Sequence, residues 1–137
     1  MGKILITDIQ IRFADGDTLG HINNVNLQHY FDLGKMEFYR NAMNKTIEAD
    51  KESLILASTH TDYYLQSHLY DELQVLTQVE KIGNKSITFI QRLINKDTGS
   101  INASCRTVAV AYNFETQQTF SLKDEWTVVL KEYLLEE

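Results

Sequence analysis

The stretch DGDTLGHINNVNLQHYFDLGK runs from Asp15 to Lys35, and its two halves have opposite characters. Asp15, Asp17, Gly20, His21, Asn23 and Asn24 fall within the first ten residues. The second half is helical in pattern. Leu27, Tyr30, Phe31, Gly34, Phe38 and Ala42 recur at spacings of three and four, which predicts a helix over Val25 to Met43. Met36, Tyr39 and Met43 widen its apolar surface, so the helix is expected to be buried over much of its circumference. Asn23 or Asn24 can cap its start. Gly34 sits mid-stripe, where glycine costs about 1 kcal/mol of helix propensity. A close approach to a sheet is the expected reason for it. The crowd of polar groups at the mouth of a buried helix calls for an explanation of its own.

Outward from this stretch the pattern changes period. Upstream, Ile9, Ile11 and Phe13 alternate with polar residues, which predicts a strand over Lys3 to Phe13 with a slip between Ile6 and Ile9. Downstream, Leu54 to Gln66, Leu73 to Ile82, Ser86 to Asn95 and Ile101 to Phe114 all read as strands. Gly83-Asn84-Lys85 and the stretch from Asn95 to Ser100 separate them with hairpin chemistry. Leu122 to Leu135 returns to helical spacing, with Ser121 as its expected cap. The order is strand, long helix, a run of long antiparallel strands and a closing helix. An α+β fold with a strongly curved antiparallel sheet wrapped around one central helix satisfies it. Such a sheet leaves an edge that a second copy would cover.

The bulk composition narrows the function. The 137 residues suit one domain, 1–137, with one core. A net charge of −6 argues against nucleic acid as a partner, because phosphate backbones select basic surfaces. No apolar run approaches the ~20 residues of a membrane helix. The first residues lack the long apolar stretch of a signal peptide, so a cytoplasmic protein is expected. The single cysteine, Cys105, cannot form an internal disulfide and is expected to be a small core residue.

Phe13, Asp15, Asp17, Gly20, His21, Ile22, Asn23 and Asn24, followed by Phe31-Asp32 and Lys35, together carry a resemblance. The segment RFADGDTLGHINN resembles the signature of hotdog-fold acyl-CoA thioesterases of the 4-hydroxybenzoyl-CoA thioesterase family. Asp71-Glu72-Leu73 resembles a later motif of that family, and Lys81 to Ser86 resembles its basic hairpin. The chain departs from the family pattern at several places. Leu27 stands for Tyr, Asp32 for Glu, Lys35 for Arg, Ser67 for Pro and Tyr70 for Gly. The resemblance implies a hotdog fold and hydrolysis of an acyl-CoA thioester. It implies a homodimer or homotetramer with the active site between subunits, and no cofactor beyond the coenzyme A of the substrate.

Thioester chemistry suits these residue types. A thiol titrates near ~8.5, so the thiolate leaves without much help from an acid. The demanding parts are delivering a nucleophile and stabilising the oxyanion. A carboxylate can act as base for water or attack directly. Unpaired N–H groups at a helix start can hold the oxyanion. By resemblance, Asp17 is the catalytic carboxylate and the Asn24 backbone N–H the oxyanion donor. His21 is expected to support the loop by hydrogen-bonding within it. Gly20, Asn23, Lys81, Lys85 and Ser86 are the expected substrate contacts, with Arg92 and Arg106 as further cations for coenzyme A phosphates.

Competing expectations are specific. Asp15 is expected to be structural, bonding loop amides, and Gly20 to permit a backbone turn. His29 with Asp32 gives only two ligands at helical spacing, and His60 and His68 have no evident partners, so no metal is expected. The same chemistry on acyl groups held by acyl carrier protein is one alternative. A non-catalytic acyl-CoA-binding protein on the same fold is another. A dehydratase is disfavoured, because the proline-rich motif expected around its histidine is absent from a chain with no proline.

Overall fold

The computed structural model describes residues 2–44 and 51–135. The central helix, α1 (Asn24–Glu37), begins where the cap chemistry places it. Asn23 is the cap, and its side chain accepts a hydrogen bond from the Val25 N–H at 2.8 Å. The helical path continues to Ala42, but its last turn, Phe38–Ala42, widens into a π-helical turn. Leu27, Tyr30, Phe31 and Gly34 form the buried face, continued by Phe38. Val25 and Leu33 remain exposed, so the buried stripe is narrower than the sequence suggests.

The strands are β1 (Leu5–Asp8), β2 (Glu52–Tyr63), β3 (Leu73–Ile82), β4 (Ser86–Asn95), β5 (Ile101–Asn113) and β6 (Gln118–Thr119). All pairings are antiparallel, in the order β1-β3-β4-β5-β2, with β6 added to β5. Strands of 10 to 13 residues are about twice the usual length, and the sheet curls around α1. β2 is an edge strand, and Leu56 to His60 along it are exposed.

β1 is shorter than the alternation predicts. Ile9 keeps one further bond to the sheet, its N–H donating to the Leu73 carbonyl. The chain then leaves the sheet because Arg12 and Asp15 close a tight turn on each other. The Arg12 N–H donates to Asp15 Oδ2, and the Asp15 N–H donates to the Arg12 carbonyl. Phe13 therefore points to solvent, while Ile9 and Ile11 still pack on the core.

Two clusters fill the interior. Ile22, Leu27, Phe31, Leu73, Val75 and Leu93 pack near the start of α1. Phe38, Val79, Ile87, Phe89, Trp126 and Leu130 pack at its far end. The second cluster includes the closing helix, α2 (Asp124–Glu132). Its cap position falls on Lys123 rather than Ser121, and Asp124 and Glu125 face the positive end of the helix dipole. Cys105 is fully buried, as expected.

Gly34 sits where the helix lies close against the sheet. A Cβ there would lie 2.7 Å from Gln91 Nε2 and 2.8 Å from Val75 Cγ1. The space is taken by Gln91, whose Nε2 donates to the Phe31 carbonyl at 2.8 Å and to Thr77 Oγ1 at 3.1 Å. Among the described residues no helix is long and apolar enough to cross a membrane.

Candidate active site

The loop before α1 holds two aspartates in different surroundings. Asp15 is buried beneath it. Its Oδ1 accepts from Arg12 Nη2 at 3.0 Å and Nε at 3.2 Å, and its Oδ2 accepts from the Tyr30 hydroxyl at 2.6 Å. Burial pushes its carboxyl up, but the donors from Tyr30 and Arg12 outweigh it and hold the group below its ordinary range. Burial and the same carboxylate push the Tyr30 phenol up. The Asp15 carbonyl in turn accepts from the Asn23 N–H at 2.9 Å and Asn26 Nδ2 at 3.1 Å. Asp15 thus ties the loop to the first turn of the helix, the structural role expected of it.

Asp17 is exposed. Its Oδ1 accepts from the N–H groups of Leu19 and His21, at 2.9 and 3.1 Å. Its own N–H donates to the His21 carbonyl, and the Gly20 N–H donates to the Asp17 carbonyl. Gly20 closes this turn with a φ of 78°, in the left-handed region that glycine enters without strain. One carboxylate oxygen therefore fixes the orientation of the side chain. The other, Oδ2, has no hydrogen-bond partner among the described residues.

His21 supports the loop through its backbone. Its ring makes no hydrogen bond within the loop, contrary to expectation, and packs edge-on against the His68 ring with centroids 4.9 Å apart. The neighbouring strand segment explains this. Gly20 and Ile22 bond to Leu69 and Ser67, which bring His68 alongside His21. His68 also has a partner in Asp71, whose Oδ2 accepts the His68 N–H at 2.8 Å. His60 lies 3.2 Å from Asp62. Among the described residues no group of three or more His, Cys, Asp or Glu is placed to hold a metal ion.

The helix start presents free donors. The Asn23 N–H goes to Asp15, and the Val25 N–H goes to the Asn23 side chain. The Leu27 N–H goes to the Asn23 carbonyl. The Asn24 N–H has no partner among the described residues. Asp17, Asn23 and Asn24 share the wall of one cleft of about 520 Å³ with Leu27, Tyr63 and Tyr64. Among the described residues, an aspartate with one unpartnered carboxylate oxygen and a helix-terminal residue with an unpaired N–H thus line the same space. That pairing suits attack on a carbonyl followed by capture of the resulting oxyanion.

The basic hairpin is elsewhere. Lys81, Lys85 and Ser86 sit at the far end of β3 and at the start of β4, while the Asp17 loop meets the residues just before β3. Ten residues of strand, roughly 30 Å, separate the two ends. One chain does not bring these groups to the cleft. Lys85 Nζ reaches Thr119 Oγ1 at 3.5 Å. Arg106 is held by Glu80 through two hydrogen bonds of 2.5 and 2.8 Å, so its guanidinium is already engaged. Arg92 lies on β4 opposite Leu76 and Ser104.

Sequence spacing missed Tyr63 and the other walls contributed by the segment from 63 to 67. They come from the end of β2 and the turn after it, 46 to 50 residues along the chain from Asp17, and only the sheet register brings them close. Ser67 is buried and accepts from Asn102 Nδ2 at 2.9 Å, a side-chain contact that proline could not make. Tyr70 is almost fully exposed, so its replacement of glycine meets no obstruction.

The chain is similar to proteins in which this architecture recurs. It is 29% identical to the uncharacterized protein YsmA of Bacillus subtilis over 80 residues, 58% of this chain and 54% of that protein. The match thus spans about half the length of that relative. It is 19% identical over 96 residues to the acyl-CoA thioester hydrolase YbgC of Escherichia coli, covering 69% of this chain and 72% of YbgC. The solved structure of a predicted thioesterase from Bacillus stearothermophilus superposes with a TM-score of 0.86 at 26% identity, covering 98% of this chain and 99% of that one. The curled antiparallel sheet around one long helix is the hotdog fold. The family profile described as the thioesterase-like superfamily matches residues 11–131, and the chain belongs to that superfamily.

Proposed function

We propose that this protein hydrolyses acyl-CoA thioesters to the free acid and coenzyme A, as a cytoplasmic enzyme of the 4-hydroxybenzoyl-CoA thioesterase type. One observation carries the reading: Asp17, with one carboxylate oxygen unpartnered among the described residues, and Asn24, at the start of α1, line one cleft. The thioester carbonyl oxygen points at the Asn24 N–H. Asp17 takes a proton from water as the water oxygen bonds to the carbonyl carbon. The C–S bond then breaks, and the thiolate leaves and is protonated by solvent. Direct attack by Asp17 Oδ2 on the same carbon is the alternative route, with water cleaving the resulting anhydride. Oδ1 stays on its two loop amides in either route, so the reacting oxygen is held in a fixed direction.

The distance from the cleft to the basic hairpin supports a shared site. A second copy paired along the exposed β2 edge brings the partner's hairpin toward this chain's cleft. Lys81, Lys85 and Ser86 would then receive the phosphates of a coenzyme A whose thioester end lies by Gly20 and Asn23. The reading therefore includes at least a homodimer, and no cofactor or metal.

The test is free-thiol release from a panel of short, long and aromatic acyl-CoAs, with the Asp17→Asn variant run in parallel. The expected result is turnover that collapses in the variant while its melting curve and oligomeric state stay the same. Tight acyl-CoA binding with no thiol release by the unaltered protein would overturn the reading in favour of a binding protein. Turnover confined to acyl groups on acyl carrier protein would overturn the choice of coenzyme A.

A further inference from the structure

The seam between α1 and the edge strand β2 extends well past the mouth. Along the helix, Asn24 and Leu27 line the first cleft, Gln28 follows, and then Asp32, Lys35 and Met36 line a second cleft of about 290 Å³. Along β2 the order is the same. Tyr63 borders the first cleft, Thr61 and Thr59 follow, and Leu56 borders the second. Gln28 spans the seam between the clefts. Thr61 Oγ1 donates to its Oε1 at 2.8 Å, and its Nε2 reaches Thr59 Oγ1 at 3.5 Å and Cys105 Sγ at 3.6 Å. Thr107, the register partner of Thr59, forms part of the wall of the second cleft. One amide side chain, bridged to β2, thus lies between the residues that line the two clefts.

We propose that the Gln28–Thr61 bridge is the length stop for the acyl group, so that this protein accepts short acyl thioesters and excludes long ones. The inference rests on the reading above, which places the thioester carbonyl at the Asn24 N–H. Gln28 is one helical turn further on, a rise of ~6 Å. With carbon–carbon bonds of ~1.5 Å, an extended chain of about five carbons fills that distance. A longer chain must part Thr61 from Gln28 and leave a half-buried amide without its partner. Beyond the bridge, Met36, Tyr39, Leu56 and Ala109 offer apolar walls that a tail would occupy once the bridge is gone.

The experiment compares kcat/KM for butyryl-, hexanoyl-, octanoyl- and dodecanoyl-CoA across four proteins: the natural sequence, Gln28→Ala, Thr61→Ala and Gln28→Leu. In the natural protein, kcat/KM should fall steeply beyond hexanoyl. The dodecanoyl-to-butyryl ratio should rise at least tenfold in each alanine variant, which opens the seam from one side. It should rise much less in Gln28→Leu, which keeps the bulk. A natural protein that already prefers dodecanoyl-CoA, or folded alanine variants whose ratio stays put, would overturn the length stop and leave thioester hydrolysis standing. No thiol release from any chain length would remove the activity itself, and the inference with it.

Discussion

Asp15 and Asp17 are two residues apart in one loop, yet they belong to different parts of the molecule. Asp15 is enclosed, with every carboxylate oxygen taken by Arg12 or Tyr30. Asp17 lines the cleft, with one oxygen tied to amides and the other unpartnered among the described residues. The backbone turn at Phe13–Asp15 sends the first side chain inward, and the turn at Gly20 sends the second outward. The same functional group therefore serves the fold in one place and is available for chemistry in the other. What differs is the number of donors around it and its access to water.

Exchanging the losses would break this contrast. Asp17→Asn keeps the Oδ1 acceptor for Leu19 and His21 but removes the charge. Thiol release should fall by about a thousandfold, near the middle of the range for a lost general base, while the urea midpoint moves little. Asp15→Ala should do the reverse. It strands a buried tyrosine hydroxyl and removes the acceptor of the Arg12 N–H and guanidinium, which should lower stability by about 3 kcal/mol in urea titration. A loss of activity in folded Asp15→Ala equal to that of Asp17→Asn would erase the distinction.

Acid sharpens the same contrast. The folded Asp15 carboxyl titrates below its ordinary value near ~3.9, so the folded state binds this proton less readily than the unfolded chain. Its stabilising contribution is complete above the unfolded pKa and is lost as pH falls through the folded one. Urea midpoints taken from about pH 6 down to about pH 2 should drop more for the natural protein than for Asp15→Asn. The smallest effect belongs to the cap. Asn23→Ala should cost about 1 kcal/mol. It should also loosen the first turn, so that KM rises in the thiol-release assay.

The helix start was legible in the sequence because capping and amphipathic spacing are local. Asn23, Leu27, Phe31 and Gly34 announce themselves within a dozen residues. The strand run was legible for the same reason, through long strand-like runs separated by short breaks with hairpin chemistry. The length of β1 was not. Alternation continues through Phe13, and only the Arg12–Asp15 turn, a matter of side-chain geometry, ends the strand early. Tyr63, Tyr64 and the Gln28–Thr61 contact were invisible because they join residues more than 30 positions apart through the register of β2 on β5. Within the candidate site, the sequence pointed to the aspartate loop but not to the walls facing it.

The contact at Gly34 carries a mechanical consequence. Helix and sheet lie close together there, with Gln91 filling the space that a side chain would take. From that fulcrum to Asn24 is ten residues, a lever arm of ~15 Å. A tilt of about 4° at the fulcrum swings the first turn by ~1 Å, a displacement on the scale that costs a reaction about a hundredfold. A single methyl group added at Gly34 would thus be felt at the helix's far end, in the aim of an amide it never touches.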